Sequence, residues 1–278
     1  MNSVDKLDCQ IALAQMNANH DVESNLQQLE TLLSNHGQVF DLLFLPENFA
    51  HMPRHEQERL DSAESFGSGK IQDFLSKIAT QYGCWIVAGS VPICNEDQRK
   101  IYQSSLVFDD QGILQKRYDK IHLFDVKLAN GEQYQESRFI EFGDVQQDPT
   151  VMTPWGLIGL SICYDVRFPE HYRAMSDDII MLSVPAAFTY NTGQAHWQTL
   201  LQSRAIENQV FVVAAAQTGQ HSNGRRTWGH SSLIDPWGKV IIQEKTQVSL
   251  ISAKINLNQI NEIRERFPSL QHKRRNDF

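Results

Sequence analysis

Cys163 is the residue of this sequence best placed to act as a nucleophile. It follows an apolar run, residues 157–162, that predicts a buried strand. Pro169 and Glu170 then indicate the first turn of a helix, where proline is tolerated and an acidic side chain suits the positive end of the helix dipole. The thiol is therefore predicted to lie where a strand gives way to a helix. Open α/β sheets expose their reactive groups at such positions.

Attack on an amide requires partners for this thiol, because a thiol with an ordinary pKa of about 8.5 is largely protonated at neutral pH. Glu47 directly follows the apolar residues 42–46, where partial desolvation would raise the pKa of its carboxyl group toward a useful range. Lys120 could hold positive charge where an oxyanion forms. Each has a plainer interpretation, with Glu47 anchoring a loop and Lys120 lying along the surface.

Histidine is the alternative base, as in papain-like enzymes. His171, His196 and His230 are candidates, but none of them follows a predicted strand end with a clear role. His196 lies near the start of a predicted helix and is expected to be structural. A papain-like arrangement is therefore disfavoured.

Composition narrows the class of protein. The 278 residues carry a net charge of -8, which disfavours nucleic-acid binding. The longest apolar run, residues 210–216, is too short to cross a membrane, and the polar N-terminus does not resemble a signal peptide. No C-x-x-C pair or metal-binding histidine pattern is present, so we expect no metal. Free thiols and a cytoplasmic location are the simplest interpretation.

Strand and helix patterns alternate along the chain, which predicts an α/β architecture. In the first half, the patterns predict strands at 11–17, 41–45, 85–91 and 102–108 and helices at 22–35 and 69–82. Asp21 is the expected N-cap of the first helix and Gly37 lies just past its end.

The second half repeats this order. Three of its predicted strands correspond to strands of the first half, 157–162 to 11–17, 179–184 to 41–45 and 210–216 to 85–91. Its helix at 194–208 corresponds to the helix at 69–82, and its segment 231–238 corresponds to 104–112. The members of two of these pairs, 85–91 with 210–216 and 104–112 with 231–238, are about 125 residues apart. Chance similarity is common in α/β proteins, but we favour two related halves, each a sheet with helices on one face. Packed face to face, they form a four-layer α-β-β-α sandwich.

No linker composition interrupts this order, so residues 1–278 are expected to form a single domain. Residues 267–278 have little apolar periodicity and contain a basic cluster at 272–275, and we expect a C-terminal tail from about residue 258. It is either a solvated tail or a segment that lies across a partner subunit.

Three separated motifs carry a resemblance to a known family. They resemble the motifs of the Glu-Lys-Cys triad of the nitrilase (carbon–nitrogen hydrolase) superfamily. The motifs are Leu-Pro-Glu-Asn with Glu47, Lys-Ile-His-Leu-Phe-Asp with Lys120 and Cys-Tyr-Asp-Val-Arg-Phe-Pro-Glu with Cys163. Glu136 resembles the second glutamate of that family, which helps to hold the lysine and the substrate. Residues 229–231 and 235–238 resemble its closing strand and hairpin. The resemblance implies the α-β-β-α sandwich and a homodimer in which the second half and the C-terminal tail meet the partner.

The residues after the nucleophile favour the amidase branches. True nitrilases carry Cys-Trp-Glu, whereas this chain has Cys163-Tyr164-Asp165, and its single Arg167 argues against carbamoylases. Residues 194–197 and 204–209 resemble both ω-amidases and deaminated-glutathione amidases, while 212–221 and 271–275 are closer to the latter. The resemblance therefore implies an amidase without a cofactor that converts the terminal carboxamide of a small carboxylate-bearing substrate, above all deaminated glutathione, to acid and ammonia.

The resemblance also implies roles for individual residues. Glu47 would be the base for Cys163, and Lys120 with the backbone N–H of Tyr164 would stabilise the oxyanion. Phe188 is expected to line the substrate site, and Arg173 or the Arg225–Arg226 loop to bind the substrate carboxylate. The alternatives are an ω-amidase for α-ketoglutaramate-like acids, a catalytically silent scaffold protein and, least supported, a cysteine protease.

Overall fold

A computed structural model describes residues 7–55, 57–97, 99–127, 131 and 133–274. The strands are β1 (Asp8–Gln15), β2 (Leu42–Leu45), β3 (Trp85–Cys94), β4 (Ile101–Phe108), β5 (Leu114–Asp119), β6 (Asp125–Lys127), β7 (Gln133–Gln135), β8 (Thr150–Thr153), β9 (Gly156–Leu160), β10 (Ile179–Ser183), β11 (Phe211–Ala214), β12 (Thr218–Gln220), β13 (Arg226–Trp228), β14 (Ser231–Ile234), β15 (Val240–Glu244) and β16 (Ser249–Asn256). The helices are α1 (Val22–His36), α2 (Glu58–Asp61), α3 (Lys70–Tyr82), α4 (Pro169–Arg173), α5 (Tyr190–Thr192), α6 (Gln198–Asn208) and α7 (Asn258–Arg266), with 3-10 turns at Glu136–Arg138 and Cys163–Arg167 and a π turn at Gly193–Trp197.

The two halves have the same topology. One six-stranded sheet has the order β16-β1-β2-β3-β4-β5, and the other has the order β15-β14-β11-β10-β9-β8. In each sheet three strands in succession are parallel, β1-β2-β3 in one and β9-β10-β11 in the other, and antiparallel strands flank them. The predicted correspondence of the halves is confirmed, since β9, β10, β11 and β14 occupy the places of β1, β2, β3 and β4.

The sheets pack face to face, and the alternation of side chains along β2 shows how. Leu42 and Phe44 point into a core shared with second-sheet residues such as Leu182. Leu43 and Leu45 point the other way, into a core that α1 and α3 cover. Successive side chains of a strand alternate between faces, so a strand buried on both faces reads as an uninterrupted apolar run. On the second sheet, α4 and α6 supply the outer helical layer, with Tyr172, Leu201 and Ala205 buried. The four-layer α-β-β-α sandwich is confirmed.

Helix ends follow the sequence closely in the first half. The Asp21 side chain accepts a hydrogen bond from the Ser24 N–H, and Gly37 ends α1 in the left-handed conformation, as predicted. In the second half, the predicted helix 194–208 is regular only from Gln198 and is preceded by the π turn. Gly193 in that turn lies against Trp228, where a Cβ atom would come within 2.3 Å of the Trp228 Cβ.

The C-terminal segment departs from the predicted tail. Its first residues form α7, because Ile260 buries its side chain in the shared core. Arg264 donates to the backbone oxygens of Asp177 and Ile179, at 2.8 and 3.1 Å. Lys273 then pairs with Asp177 at 2.6 Å. Residues 275–278 lie outside the described residues, so the basic cluster is described only in part. Within the described residues, no helix combines the length and apolar character needed to cross a membrane.

Candidate active site

Glu47, Lys120 and Cys163 all lie just past the carboxyl-terminal ends of strands. Glu47 follows β2, Lys120 follows β5 and Cys163 follows β9. β5 runs in the same direction as β2, because two successive antiparallel pairings, β3-β4 and β4-β5, restore the direction of β3. Glu47 and Lys120 therefore reach the same edge of the first sheet, and Cys163 meets them from the second.

The Lys120 ammonium bridges two carboxylates. Its Nζ lies 2.8 Å from Glu47 Oε1 and 2.9 Å from Glu136 Oε2, and the lysine side chain is completely buried. Backbone donors hold both acids. Glu47 Oε2 accepts from the Ala187 N–H at 2.9 Å, and Glu136 Oε2 accepts from the Phe124 N–H at 2.8 Å. The structure thus brings together four of the predicted site residues, which are Glu47, Lys120, Glu136 and the neighbouring Cys163.

The electrostatics of this cluster keep Lys120 and Glu136 ionised. Burial by itself lowers the pKa of Lys120, but the neighbouring carboxylates of Glu136 and Glu47 outweigh burial and raise that pKa above its ordinary value. For Glu136 the balance has the opposite sign. Burial raises its pKa, and the charge of Lys120 together with the Phe124 N–H lowers it by more. Lys120 is therefore a permanent cation, and Glu136 a permanent anion, at neutral pH.

The Cys163 thiol is protonated at rest. Burial raises the pKa of Cys163 well above its usual range, the charge of Glu47 raises it further, and Lys120 acts in the opposite direction. The side chain is 7% exposed. A thiol of this kind is a poor nucleophile until a nearby base removes its proton. The Ala187 N–H contacts both the thiol and Glu47, which places the acid beside the proton that has to be moved.

The backbone at Cys163 is strained. Its φ is +48°, in the left-handed region that residues with a side chain seldom adopt. Its N–H donates to the Pro185 backbone oxygen at 2.8 Å, at the end of the neighbouring strand β10. This sharp turn, where β9 passes into the 3-10 turn, aims the thiol at Glu47 instead of continuing the strand.

Asp165 ties the nucleophile turn to the lysine segment. One carboxylate oxygen accepts from the Ile162 N–H and from the Tyr118 hydroxyl, each at 2.8 Å. The other accepts from the His122 N–H at 3.1 Å and lies 2.8 Å from His122 Nδ1. Burial raises the pKa of Asp165, but the His122 contact and these donors lower it by more, so the acid stays ionised. Asp165 therefore fixes the residues around Cys163 relative to those around Lys120.

Asn48 holds the turn that presents Glu47. Its φ is +58°, a conformation that asparagine tolerates better than most residues. Its N–H donates to Ser90 Oγ at 2.9 Å, and its Oδ1 accepts from Gln103 Nε2 at 2.6 Å and from Arg59 Nη1 at 3.2 Å. The backbone oxygen of Glu47 accepts from Gln217 Nε2 at 3.1 Å. Glu47 is thus held from both halves of the chain.

A narrow cavity lies over the thiol, lined by Phe124, Glu136, Cys163, Tyr164, Arg167, Ala187, Phe188, Thr189, Thr192 and Arg225. Tyr164 and Phe188, both predicted site residues, are among them. The Arg167 guanidinium lies over the Phe188 ring, 5.0 Å from its centre, and 3.2 Å from His196 Nδ1. Among the described residues, no group of three histidine, cysteine or acidic side chains is arranged to hold a metal ion.

Arg173 is not one of the residues that line the cavity. It ends α4, and its Nη1 donates to the backbone oxygen of Glu207 at 2.7 Å, at the end of α6. Arg167, which lies one helical turn after Cys163, lines the cavity instead. Its place in the same motif as the nucleophile could have indicated from the sequence that it lies near the thiol. Arg225, the other predicted cation, does line the cavity, whereas its neighbour Arg226 lies 3.7 Å from the centre of the Tyr190 ring.

The three histidines considered as bases have other partners. His171 Nε2 lies 3.0 Å from the Leu160 backbone oxygen, His196 meets Arg167, and His230 Nδ1 lies 3.0 Å from the Trp228 backbone oxygen. Burial also lowers the pKa of His171. The carboxylate of Glu47 is therefore the better-placed proton acceptor for Cys163.

Comparison with known proteins agrees with this geometry. Residues 10–265 match the family model for carbon-nitrogen hydrolases. The chain is 40% identical over 270 residues to a deaminated glutathione amidase of Yersinia enterocolitica, covering 95% of this chain and 92% of that protein. The crystal structure of the Caenorhabditis elegans NitFhit protein superposes with a TM-score of 0.89 at 37% identity, covering 96% of this chain and 65% of that longer one. Saccharomyces cerevisiae Nit3, a member of branch 10 of the nitrilase superfamily, superposes with a TM-score of 0.85 at 27% identity, covering 99% of each chain.

The family model spans most of the chain, and the four-layer fold and the buried Glu–Lys–Cys cluster accompany it. The chain belongs to the carbon–nitrogen hydrolase family, within the nitrilase superfamily, and is an amidase.

Proposed function

We propose that this amidase hydrolyses deaminated glutathione through a thioester on Cys163. The observation that carries the chemistry is the buried Lys120, which bridges Glu47 and Glu136 beside a protonated thiol. The similarity to deaminated glutathione amidases from several organisms supports the substrate. The proposed catalytic unit is Glu47, Lys120 and Cys163, with Glu136 as a fourth member that holds the lysine.

In the first step, Glu47 takes the proton of Cys163 while the sulfur forms a bond to the amide carbon. The electrons of the C=O bond move to the oxygen, which becomes an oxyanion. Lys120 and the Tyr164 N–H are the proposed donors to it. The Cys163 N–H is bonded to Pro185 and the Asp165 N–H to Ile162, which leaves the Tyr164 N–H, among the described residues of this turn, without a protein acceptor. Removing one such donor typically costs about 10²–10³ in rate.

In the second step, the oxyanion collapses and the C–N bond breaks. Glu47 returns its proton to the departing nitrogen, so the leaving group is a neutral amine and the acyl group remains as a thioester. Glu47 then takes a proton from a water molecule that attacks the thioester, and gives it back to the sulfur as the acid is released. The same carboxylate thus acts as base and then as acid in each half of the reaction.

The identity of the substrate changes the leaving group. Deaminated glutathione contains no primary carboxamide, so its hydrolysis releases an amine-bearing peptide fragment, not the ammonia expected for a terminal carboxamide. α-Ketoglutaramate, the ω-amidase alternative, has the same five-carbon keto-acyl group and releases ammonia. Both acyl groups end in a carboxylate, for which Arg167 in the cavity is the proposed partner, near the hydroxyls of Thr189 and Thr192.

The expected result is that the wild-type protein hydrolyses deaminated glutathione with a kcat/KM at least about tenfold above that for α-ketoglutaramate, since 1.4 kcal/mol of extra binding to the larger leaving group is sufficient. Peptide release and ammonia release measure the two reactions. Mass spectrometry of rapidly quenched reactions should find the same keto-acyl adduct on the Cys163 peptide with both substrates. Faster turnover of α-ketoglutaramate would assign the ω-amidase reaction instead, and no turnover of either amide would favour the scaffold interpretation.

We further propose that residues 1–278 act as a single domain, located in the cytoplasm, that forms a homodimer through the outer layer of the second half and the C-terminal segment. An exposed apolar cluster supports this surface. Ile206, Trp237 and Phe267 are 52%, 62% and 57% exposed. The Trp237 and Phe267 rings are 5.9 Å apart, and Ile206 packs against Gly238. Contiguous exposed apolar groups of this kind mark association surfaces. All four cysteines are free thiols, which agrees with a reducing compartment.

Substitution of Trp237 by glutamate is expected to weaken self-association by at least about tenfold, because a charge would replace an aromatic anchor of the interface. Sedimentation velocity at several protein concentrations measures the change. Phe142, also exposed at 52%, provides the matched control when it is replaced by glutamate. Identical concentration dependence of the Trp237 variant and the wild type would exclude this surface.

A further inference from the structure

A wider cleft opens beside the catalytic cavity. We call it the outer cleft, and it is lined by Arg54, His55, Arg59, Tyr134, Asn223 and Arg225, among others. Its volume is about 630 Å³, whereas the space directly over Cys163 is about 10 Å³. The first volume is that of a typical small-molecule site, and the second holds little more than a water molecule. The bulk of any large substrate therefore has to lie in the outer cleft.

The outer cleft is continuous with the thiol. Arg225 lines both spaces, and an intermediate stretch is lined by Tyr134, Glu136 and Arg225. Along one wall the aromatic rings form an unbroken series. The Tyr134 ring lies 5.1 Å from that of Phe124, which lies 5.0 Å from that of Tyr164, the residue after the nucleophile. A substrate that spans this path would contact protein throughout its length.

Arg225 is the residue of this path that is prepared for an anion. Its Nη2 donates to the Ala187 backbone oxygen, and its guanidinium lies 5.2 Å from the centre of the Tyr134 ring. Its Nε is buried and has no hydrogen-bond partner among the described residues. An unpaired buried donor is costly, and the cost is removed when the Arg225 side chain turns toward the cleft and meets an acceptor on a ligand. Arg54, by contrast, is already paired with Glu58 at 2.7 Å.

The chemistry decides which half of the substrate occupies the outer cleft. The acyl half stays on Cys163 as the thioester, so it has to lie against the thiol, where the side chains that line the narrow cavity have to move apart to admit it. The amine half has to depart before water enters, so it lies on the side that is open to solvent. We propose that the outer cleft is a leaving-group site for peptide-like amines that end in a carboxylate, with Arg225 as the residue that recognises this anion. This inference rests on the proposed function, and it assigns the preference for deaminated glutathione over α-ketoglutaramate to the outer cleft.

Replacement of Arg225 by glutamine is expected to lower kcat/KM for deaminated glutathione by about 10- to 100-fold, the usual effect of losing a charge-assisted hydrogen bond. For α-ketoglutaramate, which has no peptide leaving group, the loss is expected to be about tenfold smaller, and it measures what Arg225 contributes to the catalytic cavity itself. The matched control is Arg226→Gln, because this neighbouring arginine lies over the Tyr190 ring and does not line the outer cleft. That variant should resemble the wild type with both substrates.

A second measurement changes the substrate. One form of deaminated glutathione has the carboxylate of its peptide leaving group converted to an amide. The wild type should hydrolyse this form about tenfold less efficiently than deaminated glutathione itself, whereas Arg225→Gln should hydrolyse the two forms equally well. Equal losses on both substrates in Arg225→Gln, or wild-type indifference to the terminal carboxylate, would overturn the leaving-group site and leave the proposed function standing. Wild-type turnover of α-ketoglutaramate without turnover of deaminated glutathione would overturn both.

Discussion

Replacement of Cys163 by alanine is expected to reduce amide hydrolysis by at least about 10⁴-fold while the protein stays folded, since removing the nucleophile of a comparable catalytic unit costs about 10⁶. In the proposed mechanism the thiol forms the covalent bond between the protein and the substrate, and neither Lys120 nor Glu47 can replace it. Loss of one buried sulfur atom leaves a small cavity, so the thermal midpoint should move by only a few degrees. Initial rates and thermal unfolding measure the two effects.

Cys84 provides the matched control. It is fully buried among apolar side chains in the core between the first sheet and its helices, burial raises its pKa to about 12, and it is not one of the residues that line the catalytic cavity. Cys84→Ala should cost a similar small amount of stability and leave kcat unchanged. Alkylation should likewise distinguish the two, with loss of activity following the modification of Cys163. A Cys163→Ala variant with wild-type activity would contradict the thioester mechanism altogether.

Replacement of Lys120 by methionine is expected to have the largest effect on stability. The substitution keeps the length of the side chain and removes the positive charge that bridges Glu47 and Glu136, so two carboxylates would remain buried near each other. Breaking a buried ion pair by removing one partner typically costs about 3–5 kcal/mol. Hydrolysis should also fall by about 10²–10³, because an oxyanion donor is lost.

The loss of stability in Lys120→Met should depend on pH, with a definite sign. In the wild type, Lys120 lowers the pKa of Glu136, so the stability that this pair contributes is present above the unfolded-state pKa of about 4.3 and is lost as the pH falls through the folded value. Without the lysine, burial would raise the carboxyl pKa above that of the unfolded chain. The variant should then lose stability as the pH rises, and its deficit relative to the wild type should be larger at pH 8 than at pH 5.

Urea unfolding at the two pH values checks this expectation. Lys116→Met is the matched control, because Lys116 lies on β5 just before Lys120 and pairs at 3.3 Å with Asp148, which is 66% exposed. An exposed pair contributes little, so this variant should differ from the wild type by less than about 0.5 kcal/mol at either pH. Equal stability of Lys120→Met and Lys116→Met would show that the buried lysine does not hold the cluster together.

Much of the fold was predictable because its signals are local. Strands buried on both faces, such as β2 and β11, read as continuous apolar runs, and the same order of strands and helices occurs twice. The end of the predicted helix 194–208 was less predictable, since the π turn depends on the approach of Trp228 to Gly193 from a distant part of the chain. For the same reason α7 was predicted as a tail. Its anchors, the backbone oxygens of Asp177 and Ile179, are about 85 residues away in sequence.

The sequence by itself determined which residues are candidates for the chemistry, because the thiol and the carboxylate directly follow apolar runs and all three residues stand in motifs that resemble those of a known family. Only the tertiary structure decided how they are used. It selected Arg167 over Arg173 and Arg225 over Arg226 for the cavity, since the side of a turn or strand that faces a site is set by packing against other elements. It also brought the Ala187 N–H to Glu47 and Asp165 to His122, contacts between segments that are remote in sequence. Residue type sets the possible reactions, and the meeting of the two sheets sets the distances at which they can occur.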